Sequence, residues 1–133
     1  MGVSLIKVEG LFAQAPYAYA SSADAPGVVF TAGACPIDAT GAVTSPGDVT
    51  AQMQRALENL SMALSAAGCG LRDVLKTTVY VAARDRADLM AAWSEVEAAF
   101  ADHPAPSTLV GVSMLGYAGQ LVEIEAVALR PGS

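Results

Sequence analysis

A chain of 133 residues is one domain by length and is large enough to bury roughly two-thirds of its unfolded surface. Hydrophobic residues make up 53% and charged ones only 15%, against about 25% in an average soluble domain, so a homo-oligomer is expected to cover the excess apolar surface. The net charge of −6, with only seven basic residues scattered from Lys7 to Arg130, argues against a nucleic-acid partner, whose phosphates need clustered cations.

In chain order, Ser4 to Val8 reads as a short strand. Gly10 to Ala20 holds a proline and two tyrosines, and reads as a loop that turns into a strand at Tyr17. Asp24-Ala25-Pro26-Gly27 is a turn by composition, and Val28 to Ala32 is the next strand. Gly33-Ala34-Cys35-Pro36 ends it, and Asp38 to Gly41 turns the chain again.

The clearest element follows. Val49, Met53, Ala56, Leu57, Leu60, Leu64 and Ala67 recur at spacings of three and four, which predicts an amphipathic helix with Gln54, Glu58, Ser61 and Ser65 outward. Ser45 is the expected cap, with Pro46 in the first turn and Asp48 three residues on. Gly68 supplies the stop. Val74 to Val81 alternates as a strand, with Leu75, Thr77, Val79 and Val81 on one face. A second helix is predicted from Arg86 to Phe100, capped by Asp85, with Leu89, Trp93, Val96 and Phe100 as its stripe.

Ala101 to Pro106 is a loop, and Thr108 to Met114 alternates as a strand. Gly116-Tyr117-Ala118-Gly119 reads as a hairpin turn into the last strand, Leu121 to Leu129. There Val122, Ile124, Ala126 and Ala128 face one way, and Glu123 and Glu125 the other. The order is β-β-β-α-β-α-β-β, an α+β layer with two helices against one sheet. The uncharged run from Pro104 to Val122 could span a bilayer by length, but prolines, glycines and Gln120 break it, so no membrane partner is expected. Two cysteines do not make a disulfide framework and no leader is visible, so the expected location is cytoplasmic.

Few side chains here carry chemistry. Glu123 and Glu125 sit about 7 Å apart on one strand face. They are either a general base with a water to activate, or solvent- or interface-facing carboxylates met by ordinary donors. Cys35 is a nucleophile or a buried small residue, and Cys69 the same. His103 is a loop residue or a catalyst, and Trp93 falls on an apolar stripe, where packing is its default role. One histidine and two distant cysteines give no metal site, no glycine run forms a phosphate loop, and no cofactor is expected.

Four stretches together resemble the RidA (YjgF) family over nearly the whole chain. They are Thr31 to Pro36; Gln52, Ala56, Leu57, Asn59 and Leu60 through Ala67-Gly68; Val74 to Val81; and Val122 to Ala128. The resemblance implies a chorismate-mutase-like homotrimer with a central barrel, helices outside and ligand clefts between subunits. It further implies hydrolysis of small imines or enamines, such as 2-aminoacrylate, to a 2-keto acid and ammonia. In the family motif Pro-Ala-Arg-Ser the arginine clamps the substrate carboxylate, but this chain reads Pro104-Ala105-Pro106-Ser107. Proline offers neither charge nor donor there. On the same warrant Glu123 handles the water, and Tyr17, Gly33, Ala34, Cys35, Trp93, Pro106, Ser107 and Thr108 line the substrate cleft. Ala32-Gly33-Ala34 replaces a Ser-Gly-Gln segment and Trp93 an asparagine, which makes the cleft less polar. Three functions stay open: an imine or enamine hydrolase with an atypical substrate, a catalytically silent binding or chaperone-like module, and the endoribonuclease of the family's older label.

Overall fold

In the computed structural model, which describes residues 3–23 and 27–131, the strands are β1 (Val3–Ile6), β2 (Ala20–Ala23), β3 (Gly27–Thr31), β4 (Val74–Val81), β5 (Ser107–Gly111) and β6 (Val122–Arg130). The helices are α1 (Val49–Ala66), between β3 and β4, and α2 (Arg86–Ala99), between β4 and β5. This is the predicted order of elements. The strands form one mixed sheet in the order β1-β2-β3-β6-β4-β5, antiparallel except for β4 beside β5. A parallel pair needs a long crossover, and α2 provides it. Of the turn expected at Asp24 to Gly27, all but Gly27 lies outside the described residues.

The predicted stripe of α1 is buried in full, with Met53, Ala56, Leu60 and Leu64 at 0% exposure and Ala63 added to it at 3%. It packs on the apolar side of the sheet, where Val29, Val79, Val81, Val122, Ile124 and Ala128 are also fully buried. Each such side chain contributes about 1.5–3 kcal/mol. The helix starts later than predicted. Ser45 has φ 47°, its carbonyl accepts from Asp48 N at 3.1 Å, and Asp48 is the cap, accepting from Ala51 N at 3.0 Å. Ser45-Pro46-Gly47-Asp48 is therefore a turn before the helix. The stop is as predicted: Gly68 takes φ 81°, Gly68 N reaches Ser65 O and Cys69 N reaches Leu64 O.

Three further details depart from the sequence pattern. Leu75 is exposed, and Val74 is buried in its place, because Val74 pairs with Ala128 and Lys76 with Val127, leaving Leu75 as a bulged residue. The fifth strand ends at Gly111 instead of Met114. The segment around Gly116 to Gly119 is no hairpin, since β4 lies between β5 and β6.

Two buried amides on α1 fix the loops over the helix. Gln52 donates to Ser45 O at 3.3 Å and Gly119 O at 3.1 Å, and accepts from Leu121 N at 2.8 Å. Asn59 donates to Cys35 O at 2.8 Å and Ile37 O at 2.9 Å. Replacing Asn59 by Asp keeps the shape and turns that double donor into an acceptor facing two carbonyls. Asn59→Asp is expected to cost about 2–4 kcal/mol of stability, read as a lower urea midpoint.

Candidate functional site

The alternation of β6 turns Val122 and Ile124 toward the helices and Glu123 to the other face. Just after β3, Ala34 forms an isolated antiparallel bridge with Ile124, with Ala34 N to Ile124 O at 2.7 Å and the return bond at 3.1 Å. That bridge sets Gly33 and Cys35, on either side of Ala34, beside the Glu123 side chain. The Cys35 thiol donates to Glu123 Oε1 at 3.3 Å. Gln120 Nε2 donates to the same oxygen at 3.0 Å and to Val122 O at 2.9 Å, while its Oε1 accepts from Tyr117 N at 3.1 Å. Gly33 is needed for space: a Cβ there would lie 1.9 Å from Glu123 Oε2 and 2.5 Å from its Cδ.

Two tyrosines extend the cluster. Tyr17 and Tyr117 share a hydroxyl–hydroxyl contact of 3.1 Å, and the Tyr17 ring meets Tyr19 edge-on at 5.4 Å. Burial, then the Tyr117 bond, holds the Tyr17 hydroxyl well above its usual range. Burial, with the charge and hydrogen bond of Glu123 behind it, pushes the Cys35 thiol up to about 12. Cys35 is thus buried, as one of its two sequence readings had it, and its thiol stays protonated and donates, which does not fit the nucleophile. Glu125 has a different neighbour. It accepts from the Tyr80 hydroxyl, and that bond, followed by burial, pushes Tyr80 up to about 12.

The remaining expected site residues stand elsewhere in the chain. Thr77 N donates to Pro106 O at 3.0 Å, Thr77 Oγ1 donates to Ser107 Oγ at 2.7 Å, and Lys76 Nζ donates to Thr108 Oγ1 at 2.5 Å. These three belong to β5 or its approach, two strand spacings or roughly 10 Å from β6. Trp93 is half-buried on α2 and, with Ser107, Thr77, Phe100 and Pro104, lines a separate hollow of about 320 Å³. So one chain brings Tyr17, Gly33, Cys35 and Glu123 together, with Ala34 as the bridge, and keeps Trp93, Pro106, Ser107 and Thr108 apart from them. His103 binds Val74 O at 2.8 Å, at the opposite end of β4 from Tyr80, which pairs with Glu123. Gln120 and Tyr117 were missed by the sequence reading. A glutamine in an uncharged run carries no periodic signal, and only its 4% exposure marks it.

Among the described residues, no group of three His, Cys, Asp or Glu side chains is placed to hold a metal ion, and no helix is long and apolar enough to cross a membrane. A family model described as Endoribonuclease L-PSP matches residues 11–130. The 2-iminobutanoate/2-iminopropanoate deaminase of Salmonella typhimurium is 37% identical over 116 residues, spanning 84% of this chain and 87% of that protein. The Escherichia coli protein of the same name is 34% identical over 116 residues, spanning 84% and 87%. The crystal structure of the YjgF gene product from E. coli superposes with a TM-score of 0.79 at 33% identity, covering 96% of this chain and 99% of that one.

The raised thiol and phenol groups fix the sign of an alkaline effect. Their folded values exceed the unfolded ones, 9.0 for Cys35 and 10.0 for Tyr80, so the stability they carry is complete below about pH 9 and is lost as pH climbs toward about 12. Melting temperature should therefore fall across that window. Cys35→Ala should flatten the onset near pH 9, where the phenols have yet to titrate, and an unchanged onset would contradict the assignment.

Proposed function

Because the chain belongs to the Endoribonuclease L-PSP family, that of the RidA (YjgF) proteins, we propose that it is a small hydrolase of the deaminase type. Its substrate is an imine, an enamine or a related small metabolite, held in a cleft between subunits of a homotrimer. The observation that carries this reading is the state of Glu123. Among the described residues both of its hydrogen bonds fall on Oε1, and Oε2 lies against Gly33 with no donor. An acceptor-only oxygen so placed can take a proton from water. Water oxygen then bonds to the imine carbon as Glu123 receives the proton. That proton returns to nitrogen to give the carbinolamine; transfer of the new hydroxyl's proton to nitrogen through Glu123, with cleavage of the C–N bond, then yields the carbonyl compound and ammonia.

Two features support the trimer. Val28, Phe30 and Leu129 are 36%, 56% and 49% exposed on neighbouring strands, an apolar area that suits contact with further copies. Trp93, Pro106, Ser107 and Thr108 complete a site with Glu123 only if they come from another subunit. Two free, buried thiols suit a reducing compartment such as the cytoplasm. RNA cleavage, which the family description names, fits poorly with a net charge of −6.

Pro106 makes the substrate atypical. Loss of a charged contact to a carboxylate is worth on the order of 2–5 kcal/mol, or roughly 30- to several-thousand-fold in transition-state binding. The wild-type protein should therefore hydrolyse 2-iminopropanoate poorly. Pro106→Arg should raise that activity at a stability change of about 0.5–1 kcal/mol, and adding Glu123→Gln should abolish the gain. Wild-type turnover equal to that of the deaminases would point to Lys76, beside Pro106 across the β4–β5 ladder, as a replacement cation. A folded Pro106→Arg protein without activity would favour the silent binding module.

The assembly is checked separately. Light scattering at micromolar concentration should give about three times the chain mass of 13.5 kDa, and a monomer mass would remove the shared cleft.

A further inference from the structure

Two groups touch Glu123 that the hydrolytic step leaves without a task. Gln120 and Cys35 approach from opposite directions in the chain, one just before β6 and one just after β3, and both end on the same carboxylate oxygen. The Cys35 thiol has Gly33 O at 3.5 Å as its alternative acceptor, farther than Glu123 Oε1 at 3.3 Å. The amide of Gln120, which is buried, is oriented by two other requirements: its Oε1 must accept from Tyr117 N, and its Nε2 must reach Val122 O. A flipped amide would set its oxygen against both Val122 O and Glu123 Oε1. Cys35 is held by its backbone, through Asn59 on its carbonyl at 2.8 Å and the neighbouring bridge at Ala34.

We propose that Gln120 and Cys35 are positioning residues, which hold Glu123 by Oε1 and so reserve Oε2 as the one oxygen that receives the proton. This rests on the reading of Glu123 as the water-activating base. A free carboxylate has two equivalent oxygens and rotates between them; two donors on one oxygen break that equivalence. Gly33 completes the arrangement, because its missing Cβ is the space in which Oε2 sits. The thiol suits the task since it lies 3.3 Å from Oε1, and burial beside a carboxylate raises it well above the usual thiol range, which keeps its proton in place. The pair fixes geometry before any substrate arrives.

The test has one arm that needs no turnover. In a Cys69→Ala background the S–H stretching band belongs to Cys35 alone, and its bond to a carboxylate should lower the frequency. Glu123→Gln should raise it, and a band that does not move overturns the proposal. The second arm is kinetic, using 2-iminopropanoate with the Pro106→Arg protein. Cys35→Ala should lower kcat about tenfold with KM unchanged, and Cys35→Ser, which keeps an O–H donor, should recover most of it. Gln120→Glu should shift the acidic limb of the rate profile to higher pH, because two adjacent carboxylates share a proton. Equal kcat for the alanine and wild-type side chains at position 35, or an unshifted profile, would also overturn it. If neither the wild-type nor the Pro106→Arg protein turns over, the base reading fails and takes the positioning role with it. A shifted S–H band in that case identifies the chemistry, and not the contact, as the fault.

Discussion

The period of two along β6 is the constraint on which the rest of this protein depends. The strand is bonded to β3 on one side and β4 on the other, so its register is fixed from both edges. Val122, Ile124, Ala126 and Ala128 then have to enter the layer under the helices, and Glu123 and Glu125 have to leave it. A slip of one residue would bury both acids against α1. The apolar core thus holds the catalytic candidate in place through the register of its strand.

From that strand the order spreads through amide side chains. Asn59 on α1 grips the Cys35 carbonyl, the Cys35 thiol reaches Glu123, and Gln120 reaches it from the other side. Gln52, about two turns earlier on the same helix face, holds the segment that leads into Gln120 by bonding Gly119 O and Leu121 N. Buried amides are costly unless satisfied: Gln52 and the Asn59 amide nitrogen bond loop backbone, Gln120 bonds Tyr117 N, Val122 O and Glu123, and Asn59 Oδ1 is left without a partner among the described residues. Helix, loop and strand are joined by bonds that are directional, where apolar packing alone would allow sliding. Glu125, by contrast, is met among the described residues by the Tyr80 hydroxyl on the adjacent strand, as on an ordinary sheet surface.

Much of this could be read from the sequence, for physical reasons that also explain the misses. The α1 stripe and the acids of β6 were legible because burial on one face leaves a periodic trace. Asp48 and Ser45 are both good caps, and the choice fell to Gly47, whose φ of 78° keeps that position out of the helix. The bulge at Leu75 left no mark, since alternation counted from either end of β4 looks regular. Assigning a hairpin to β5 and β6 followed sequence adjacency, but β5 entered the sheet beside β4 through the crossover of α2. The residues expected to share a cleft gave no sign of their separation within one chain: Glu123 is on β6 and Pro106 on the approach to β5, with β4 between those strands. Gln120 was invisible for a simpler reason. Its role comes from where one side chain ends, and no pattern of neighbours records that.

The space at Gly33 has an evolutionary meaning. Its backbone is not in the left-handed region, so conformation does not demand glycine; the 1.9 Å approach to a carboxylate oxygen does. Every single-base change of a glycine codon that alters the amino acid brings in a Cβ. Position 33 therefore has no neutral first step. Any mutation there moves the acid at once, cheaply for the fold because a flexible side-chain end gives way, and the resulting protein would persist in the cell with its central carboxylate pointing somewhere new.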